Sequence, residues 1–110
     1  MNTTQSGYSG CIAACNACAD ACDHCSSSCL REKEVQMMAN CIAADIDCAR
    51  ICRTAAGFMA SSSEFSAELC EVCAKVCERC AGICGEHEAE YCKKCAEACR
   101  ECAEACRAMS

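Results

Sequence analysis

The spacing of the cysteines constrains this sequence more than any other feature. Nineteen cysteines occur in 110 residues, and most are separated by alternating steps of three and four residues. That alternation places side chains along one stripe of an α-helix, as in helices that pack together in bundles. The sequence therefore predicts helices with one face lined by thiols.

The cysteines fall into four groups, and each group predicts one helix. The groups are Cys11, Cys15, Cys18, Cys22, Cys25 and Cys29; Cys41, Cys48 and Cys52; Cys70, Cys73, Cys77, Cys80 and Cys84; and Cys92, Cys95, Cys99, Cys102 and Cys106. The second group is thinner, but its register continues through Met38, Asp45, Ala55 and Met59. The chain thus repeats one thiol-striped helix four times.

Four helices joined by short connections predict an all-α, antiparallel up-down-up-down four-helix bundle. We expect a single domain over residues 1–110, with helices at about 6–30, 33–60, 62–84 and 86–108. Ser61 and Glu64 have the spacing of a capping box and predict the start of the third helix. Gly85 follows the last cysteine of that helix and favours a left-handed stop. Proline, which would interrupt these helices, is absent.

The composition requires the cysteines to form the core. Val, Ile, Leu and Phe together number only 12 residues, which is too few for an ordinary hydrophobic core. Alignment of the four stripes by height predicts layers that place every cysteine inside the bundle. From one end to the other, the predicted layers are Cys11/Ala55/Cys70/Cys106, Cys15/Cys52/Cys73/Cys102, Cys18/Cys48/Cys77/Cys99, Cys22/Asp45/Cys80/Cys95, Cys25/Cys41/Cys84/Cys92 and Cys29/Met38. Cysteine used merely as a small apolar residue would be mixed with Leu and Ile, and here it is not.

Metal binding explains this arrangement better than disulfides do. Residues three or four apart on a helix have Cβ atoms about 5–6 Å apart, whereas a relaxed disulfide requires about 3.5–4.5 Å. A metal ion between the two sulfurs removes that mismatch. The chain contains six CxxC and eight CxxxC pairs in one register, which is a far stronger signal than a lone CxxC.

Charge balance discriminates among the metals that thiolates prefer, which are Cu(I), Zn(II) and the iron of iron–sulfur clusters. Zinc bound by four thiolates leaves two negative charges per site, and a dry core cannot hold many such charges. Cu(I) accepts two or three sulfurs and can share them, so that about one ion per thiolate leaves the core near neutral. These arguments favour multiple Cu(I) ions per chain. The alternatives are a zinc- or cadmium-sequestering, metallothionein-like protein, and a thiol redox protein.

Charge and composition disfavour other functional classes. The formal net charge is −6 and no basic cluster occurs, so we expect no binding to nucleic acid or to a membrane. No apolar run approaches the length of a membrane span. The sequence also contains no nucleophile–base pair and no phosphate-binding loop, so we do not expect an enzyme. The odd number of cysteines, their helical spacing and an N-terminus without signal-peptide features predict a reducing, cytoplasmic location.

The sequence resembles the bacterial cytosolic copper storage proteins, which are Cys-rich four-helix bundles. The resemblance extends from the first cysteine to the last and is carried by Cys22-Asp23-His24-Cys25, Cys41-Ile42-Ala43-Ala44-Asp45, Cys84-Gly85-Glu86-His87 and Cys92-Lys93-Lys94-Cys95. It implies storage of many Cu(I) ions on thiolates that point into the bundle, and assembly as a homotetramer. Exported members carry a leader and fewer cysteines, so we expect a cytosolic member. Met37 and Met38 stand where relatives place other ligands such as histidine.

Possible further ligands gather at one end of the bundle, which we call the entrance end. His87, Met37 and Met38 are predicted to lie there beside Cys29, and either copper entry or ordinary end packing explains them. The opposite end, which we call the closed end, is predicted to be filled by Phe58, Met59, Phe65 and Met109. Cu(I) is then expected to enter at the entrance end and to pass inward from thiol to thiol.

Two other residues are possible accessory ligands. His24 adjoins Cys25 and is either a surface histidine or a ligand. Asp45 falls in a thiol layer, where it binds metal, accepts hydrogen bonds from thiols, or rotates out into solvent.

Overall fold

Four α-helices build the protein, as the sequence predicts. The structure is a computed structural model that describes residues 3–109, with side chains from residue 7 onward. The helices are α1 (Thr3–Cys29), α2 (Ala39–Ala60), α3 (Ser66–Cys84) and α4 (Glu90–Met109), and a short 3-10 helix (Val35–Met38) precedes α2. The described chain contains no strand, and the prediction of an all-α bundle is confirmed.

The helices form an antiparallel bundle in which each packs against two neighbours. Helix α1 contacts α2 and α4, and α3 contacts the same two helices, so the four stand in a ring. Sulfur contacts show the directions, because on α1 and α4 Cys11 meets Cys106 whereas Cys25 meets Cys92. The molecule measures 51 × 19 × 18 Å. None of the helices in the described part of the chain combines the length and apolar character that crossing a bilayer requires.

Alanine allows these helices to approach one another closely. Eight alanines are buried among the described residues, and six of them directly follow a buried cysteine. These six are Ala19, Ala49, Ala74, Ala81, Ala96 and Ala103. Because a methyl group occupies little room, helices that meet at alanine pack with a short interaxial distance. The thiols of different helices can therefore touch in the centre.

The connection between α2 and α3 differs from the sequence prediction. Helix α3 begins at Ser66 rather than at residue 61 or 62, so the capping box predicted for Ser61 and Glu64 is wrong. The physical reason is that Ser62 adopts a left-handed conformation, with φ of 56°, which ends α2 and turns the chain. The Ser66 hydroxyl then donates a hydrogen bond to the Ser63 carbonyl at 2.8 Å, and this bond fixes the start of α3.

Other helix ends also lie away from their predicted positions. Gly85 has φ of −62°, so the left-handed stop predicted there is wrong. Glycine suits the position for another reason, because a Cβ would lie 2.8 Å from the Ala81 carbonyl oxygen.

Helix α4 begins at Glu90, later than predicted, since the His87 amide still donates to the Cys84 carbonyl (3.1 Å) in a turn. Helix α2 also begins later, because the 3-10 helix occupies its predicted first turns, whereas α1 begins earlier.

Candidate metal centre

The cysteines of all four helices lie in the core. All 19 are free thiols, and all are fully buried except Cys11, which is 4% exposed. Asp45 is fully buried among them. Together these side chains form one continuous set along the bundle axis, which we call the thiol column. The prediction that no cysteine is left for the surface is confirmed.

Sulfur contacts across the bundle follow the predicted layers. In the central layer, the Cys18 sulfur lies 3.7 Å from that of Cys48 and 3.6 Å from that of Cys99. The Cys48 sulfur in turn lies 3.6 Å from that of Cys77. The layers on either side contain similar contacts between helices. The predicted alignment of the four helices is therefore confirmed.

Successive layers are in contact as well. Within a helix, the sulfurs of a CxxxC pair approach closely, with 3.9 Å between Cys48 and Cys52 and 4.0 Å between Cys95 and Cys99. Between helices, the Cys15 sulfur lies 3.7 Å from that of Cys106 in the adjoining layer. The thiol column therefore offers sulfur contacts both within and between its layers.

These sulfurs form overlapping groups of four in which every sulfur lies within 4.8 Å of the others. The groups include Cys15/Cys73/Cys102/Cys106, Cys18/Cys48/Cys52/Cys77, Cys18/Cys22/Cys48/Cys99, Cys22/Cys80/Cys95/Cys99 and Cys25/Cys29/Cys41/Cys92. Two sulfurs on opposite sides of an ion lie about 4.6 Å apart if each bond has the zinc–thiolate length of about 2.3 Å. An ion therefore fits with little movement of the side chains. Because Cys18, Cys22, Cys48 and Cys99 each belong to two groups, neighbouring ions would share ligands.

Asp45 is fully buried, so the alternative in which it rotates into solvent is wrong. Its Oδ1 atom accepts hydrogen bonds from the thiols of Cys95 (3.2 Å), Cys80 (3.4 Å) and Cys84 (3.4 Å). Burial raises the pKa of the carboxyl group to about 10, because the core disfavours the charged form. In the metal-free protein Asp45 is therefore a neutral acid at pH 7 that holds thiols of α3 and α4 by hydrogen bonds.

Burial and mutual hydrogen bonding set the protonation of the thiols. Burial raises the pKa of Cys29 to about 11 and also raises that of Cys92, so these thiols keep their protons at neutral pH. Hydrogen bonds from Cys25 and then Cys84 lower the pKa of Cys41, while contacts with Cys25 and Cys41 raise that of Cys84. A first thiolate in a layer is therefore stabilised by its neighbours, and the neighbours hold their protons more tightly.

The structure brings His87 and Met37 together at the entrance end. Both line a surface groove of about 530 Å³ between the start of α2 and the end of α3, and Met37 is 68% exposed. Met38 is buried in the core, and Cys29 belongs to the outermost group of four sulfurs. His24, by contrast, is exposed on α1 and is not buried with the thiols.

Tyr91 and Glu32 form a contact at the entrance end that the sequence did not predict. The Tyr91 hydroxyl donates a hydrogen bond to the Glu32 carboxylate, which joins the first turn of α4 to the segment between α1 and α2. Lys93 also donates to the Gly85 carbonyl, at 2.8 Å. Both connecting segments at this end are thus bonded to α4. Tyr91 and Glu32 are 59 residues apart, and no local motif links them.

At the closed end, Met59 rather than Phe65 fills the core. Phe65 is 51% exposed because it lies in the turn immediately before α3, so the prediction that it closes this end is wrong. Phe58 and Met109 are half-buried. Met59 is fully buried, and its Sδ atom lies 3.5 Å from the Cys70 sulfur.

Comparisons with known proteins agree with this geometry. The sequence matches the family model "Copper storage protein" over residues 4–110. A search of curated proteins gave no match. Among solved structures, the Cu(I)-bound copper storage protein BsCsp3 is 43% identical; the match covers 94% of this chain and 97% of that chain, with a TM-score of 0.91. Apo-Csp3 from Bacillus subtilis is also 43% identical, with 93% and 97% covered and a TM-score of 0.89.

A more distant relative shares the same architecture. A cytosolic copper storage protein from Streptomyces lividans, whose structure contains five coppers, is 33% identical to this chain. The match covers 99% of this chain and 96% of that chain, with a TM-score of 0.92. Family match, identity, coverage and fold all agree with the thiol-lined core described above. The chain therefore belongs to the copper storage protein family.

Proposed function

We propose that the protein stores many Cu(I) ions per chain on the thiolates of the thiol column, for copper sequestration and supply. The observation that carries this proposal is the overlap of the sulfur groups, which provides adjoining sites with shared ligands. Thiolates are soft ligands and prefer soft ions such as Cu(I). The structures of BsCsp3 with Cu(I) and of the Streptomyces lividans relative with five coppers support the proposal.

The sharing of thiolates between neighbouring ions favours Cu(I) over zinc or cadmium. A structural zinc site is a closed tetrahedron of four ligands, so 19 thiols would hold about five zinc ions. Each such site would keep two excess negative charges inside a core that excludes water. Monovalent ions that share thiolates approach neutrality as their number approaches the number of thiolates. Storage at high capacity is therefore electrostatically easier with Cu(I).

All 19 cysteines are proposed ligands, and the entrance end is the proposed site of entry. Met37 and His87 offer a thioether and an imidazole on one surface groove at this end. Met38 and Asp45 are proposed accessory ligands further inside, where Asp45 would exchange its proton for a metal ion. His24 is left out of this set because its side chain is exposed on α1.

An anaerobic titration of the reduced protein with Cu(I) tests the proposal. We expect saturation above one Cu(I) per two thiols, measured by metal analysis after desalting. A zinc titration of the same preparation is the control and is expected to saturate at about five ions or fewer. Copper saturation near five equivalents would contradict the proposal and favour separate tetrathiolate sites. Disulfide formation with little bound metal would favour a thiol redox protein.

We further propose that the protein is a cytoplasmic homotetramer with a binding role and no catalytic one. The cytosolic relative from Streptomyces lividans supports the location, and thiols remain reduced in that compartment. The tetramer rests on the resemblance to the family. Light scattering coupled to size-exclusion chromatography tests it, with four chain masses expected and one chain mass contradicting it.

A further inference from the structure

The layer at the closed end contains three cysteines and an alanine, and a methionine lies beside it. Helix α2 contributes Ala55 to this layer, where other helices contribute Cys11, Cys70 and Cys106. One helical turn further on, Met59 is fully buried and its Sδ atom lies 3.5 Å from the Cys70 sulfur. The Cys11 and Cys106 sulfurs are 3.7 Å apart. A thioether therefore stands beside the thiols at the point where α2 lacks a cysteine.

The chemistry of a thioether suits the end of a column of Cu(I) ions. Methionine sulfur is a soft ligand, like a thiolate, but it carries no charge and binds without releasing a proton. A distance of 3.5 Å between the two sulfurs is less than the span of about 4.6 Å between ligands on opposite sides of an ion. Small rotations of both side chains would therefore admit a metal ion between them.

We propose that the Met59 thioether and the Cys70 thiolate bind a terminal Cu(I) at the closed end, with Cys11 or Cys106 as the third ligand. This inference rests on the proposed function and adds a ligand that is not a thiol. Each thiol that binds gives its proton to solvent, and Met59 gives none. Met59 thus completes the last site without adding negative charge to a buried layer.

Selenium absorption spectroscopy tests the bond directly. Met37, Met38 and Met109 are replaced by Leu in selenomethionine-labelled protein, so that Met59 and the initiating methionine carry the only selenium. The matched control also carries Met59→Leu. We expect a copper neighbour of selenium in the Cu(I)-saturated protein and none in the control. Saturated protein whose selenium has no copper neighbour would overturn the inference.

A competition experiment measures the contribution of Met59 in the otherwise natural chain. Leu has nearly the volume of Met, so the Met59→Leu protein is expected to fold as the natural protein does. We expect one Cu(I) equivalent per chain to be lost to a chelator at about tenfold lower chelator concentration, which corresponds to about 1.4 kcal/mol. Met109→Leu, a half-buried methionine at the same end, is the control and should behave as the natural protein does.

The two experiments separate this inference from the proposed function. If both Met59→Leu and Met109→Leu retain every Cu(I) as firmly as the natural protein, storage stands and the Met59 ligand is excluded. If the natural protein takes up no more than a few Cu(I) ions, the function and the terminal site both fail. A copper neighbour of selenium together with the selective loss in Met59→Leu supports both.

Discussion

The buried carboxyl group of Asp45 makes the stability of the metal-free protein depend on pH. Its pKa is about 10 in the folded protein, compared with 3.8 for an ordinary carboxyl group. The folded state therefore binds this proton more tightly than the unfolded state does. The resulting stabilisation is complete below about pH 4 and is lost progressively as the pH rises toward 10. Thiols of Cys41, Cys80, Cys84 and Cys95 surround the carboxyl group.

Replacement of Asp45 by Asn is expected to stabilise the metal-free protein at pH 7. The amide oxygen still accepts the thiol hydrogen bonds, and the variant has no ionised form that must be suppressed. From the size of the pKa shift, we expect a gain on the order of 2–4 kcal/mol at pH 7 and little difference near pH 4. Urea denaturation of both proteins at the two pH values measures this. An Asp45→Asn protein with the same pH dependence as the natural protein would contradict the buried neutral acid.

The Met37 and His87 side chains at the entrance end are expected to control the rate of copper exchange rather than the amount stored. Replacement of Met37 and His87 by Ala together should slow Cu(I) uptake and its removal by a chelator several-fold, because the ion loses its first soft contacts outside the core. The capacity should stay nearly unchanged, since the thiol column is intact. Stopped-flow exchange and metal analysis measure the two quantities separately.

Phe65→Ala is the control for that prediction, because Phe65 is half exposed at the closed end. We expect natural exchange rates for Phe65→Ala. Natural rates in the Met37/His87 variant would place the entry site elsewhere, and a large loss of capacity would make these two residues storage ligands.

At the scale of elements, the hydrogen bond between Tyr91 and Glu32 connects α4 to the segment between α1 and α2 at the entrance end. This bond also raises the pKa of Tyr91, because the phenol proton is shared with a carboxylate. Tyr91 directly precedes Cys92, whose sulfur belongs to the outermost sulfur group. Movement of the segment that contains Glu32 would therefore change access to that sulfur group.

Tyr91→Phe is expected to accelerate copper exchange several-fold without changing capacity. The substitution removes one hydrogen bond and keeps the ring, so the connecting segment opens more often while α4 remains packed. Chelator removal of Cu(I) from saturated protein measures the rate. Glu104→Gln, an exposed change on the outer face of α4, is the control. An unchanged rate in Tyr91→Phe would show that the bond does not limit access.

The number and register of the helices could be predicted from the sequence, whereas their ends could not. Each register rests on repeated cysteines, so a single wrong residue does not shift it, as the thin second group shows. A helix end rests on one or two local bonds instead. Ser62 adopts a left-handed conformation that favours glycine, and Gly85 does not. The prediction of these helix ends from residue type is therefore wrong, because the backbone at the two positions adopts the opposite conformations.

The functional site was predicted where local spacing determines it and missed where distant segments meet. The layers follow from helical spacing, and the contacts of Cys18 with Cys48 and Cys99 confirm them. The bond between Tyr91 and Glu32 and the position of Phe65 depend on how the connecting segments turn. No repeated pattern in the sequence encodes those turns.

At the scale of the whole molecule, copper loading should release close to one proton per Cu(I). Burial raises the pKa of thiols such as Cys29 and Cys70, so they are protonated at pH 7, whereas a bound ligand is a thiolate. Titration in weakly buffered solution with a pH indicator measures the release. Much less acid than copper would show that the thiolates exist before the metal arrives.

The thiol column occupies the centre of a molecule that is 51 Å long and less than 20 Å across, and each layer of sulfurs adjoins only the layers above and below it. If ions use one entrance, those in the inner layers leave only through the layers nearer to it. A recent arrival then remains near Cys29, and an ion beside Met59 leaves only after those above it have gone. Withdrawal would follow the reverse order of arrival, so one chain would keep a quickly available fraction near the entrance end and a long-term reserve near the closed end.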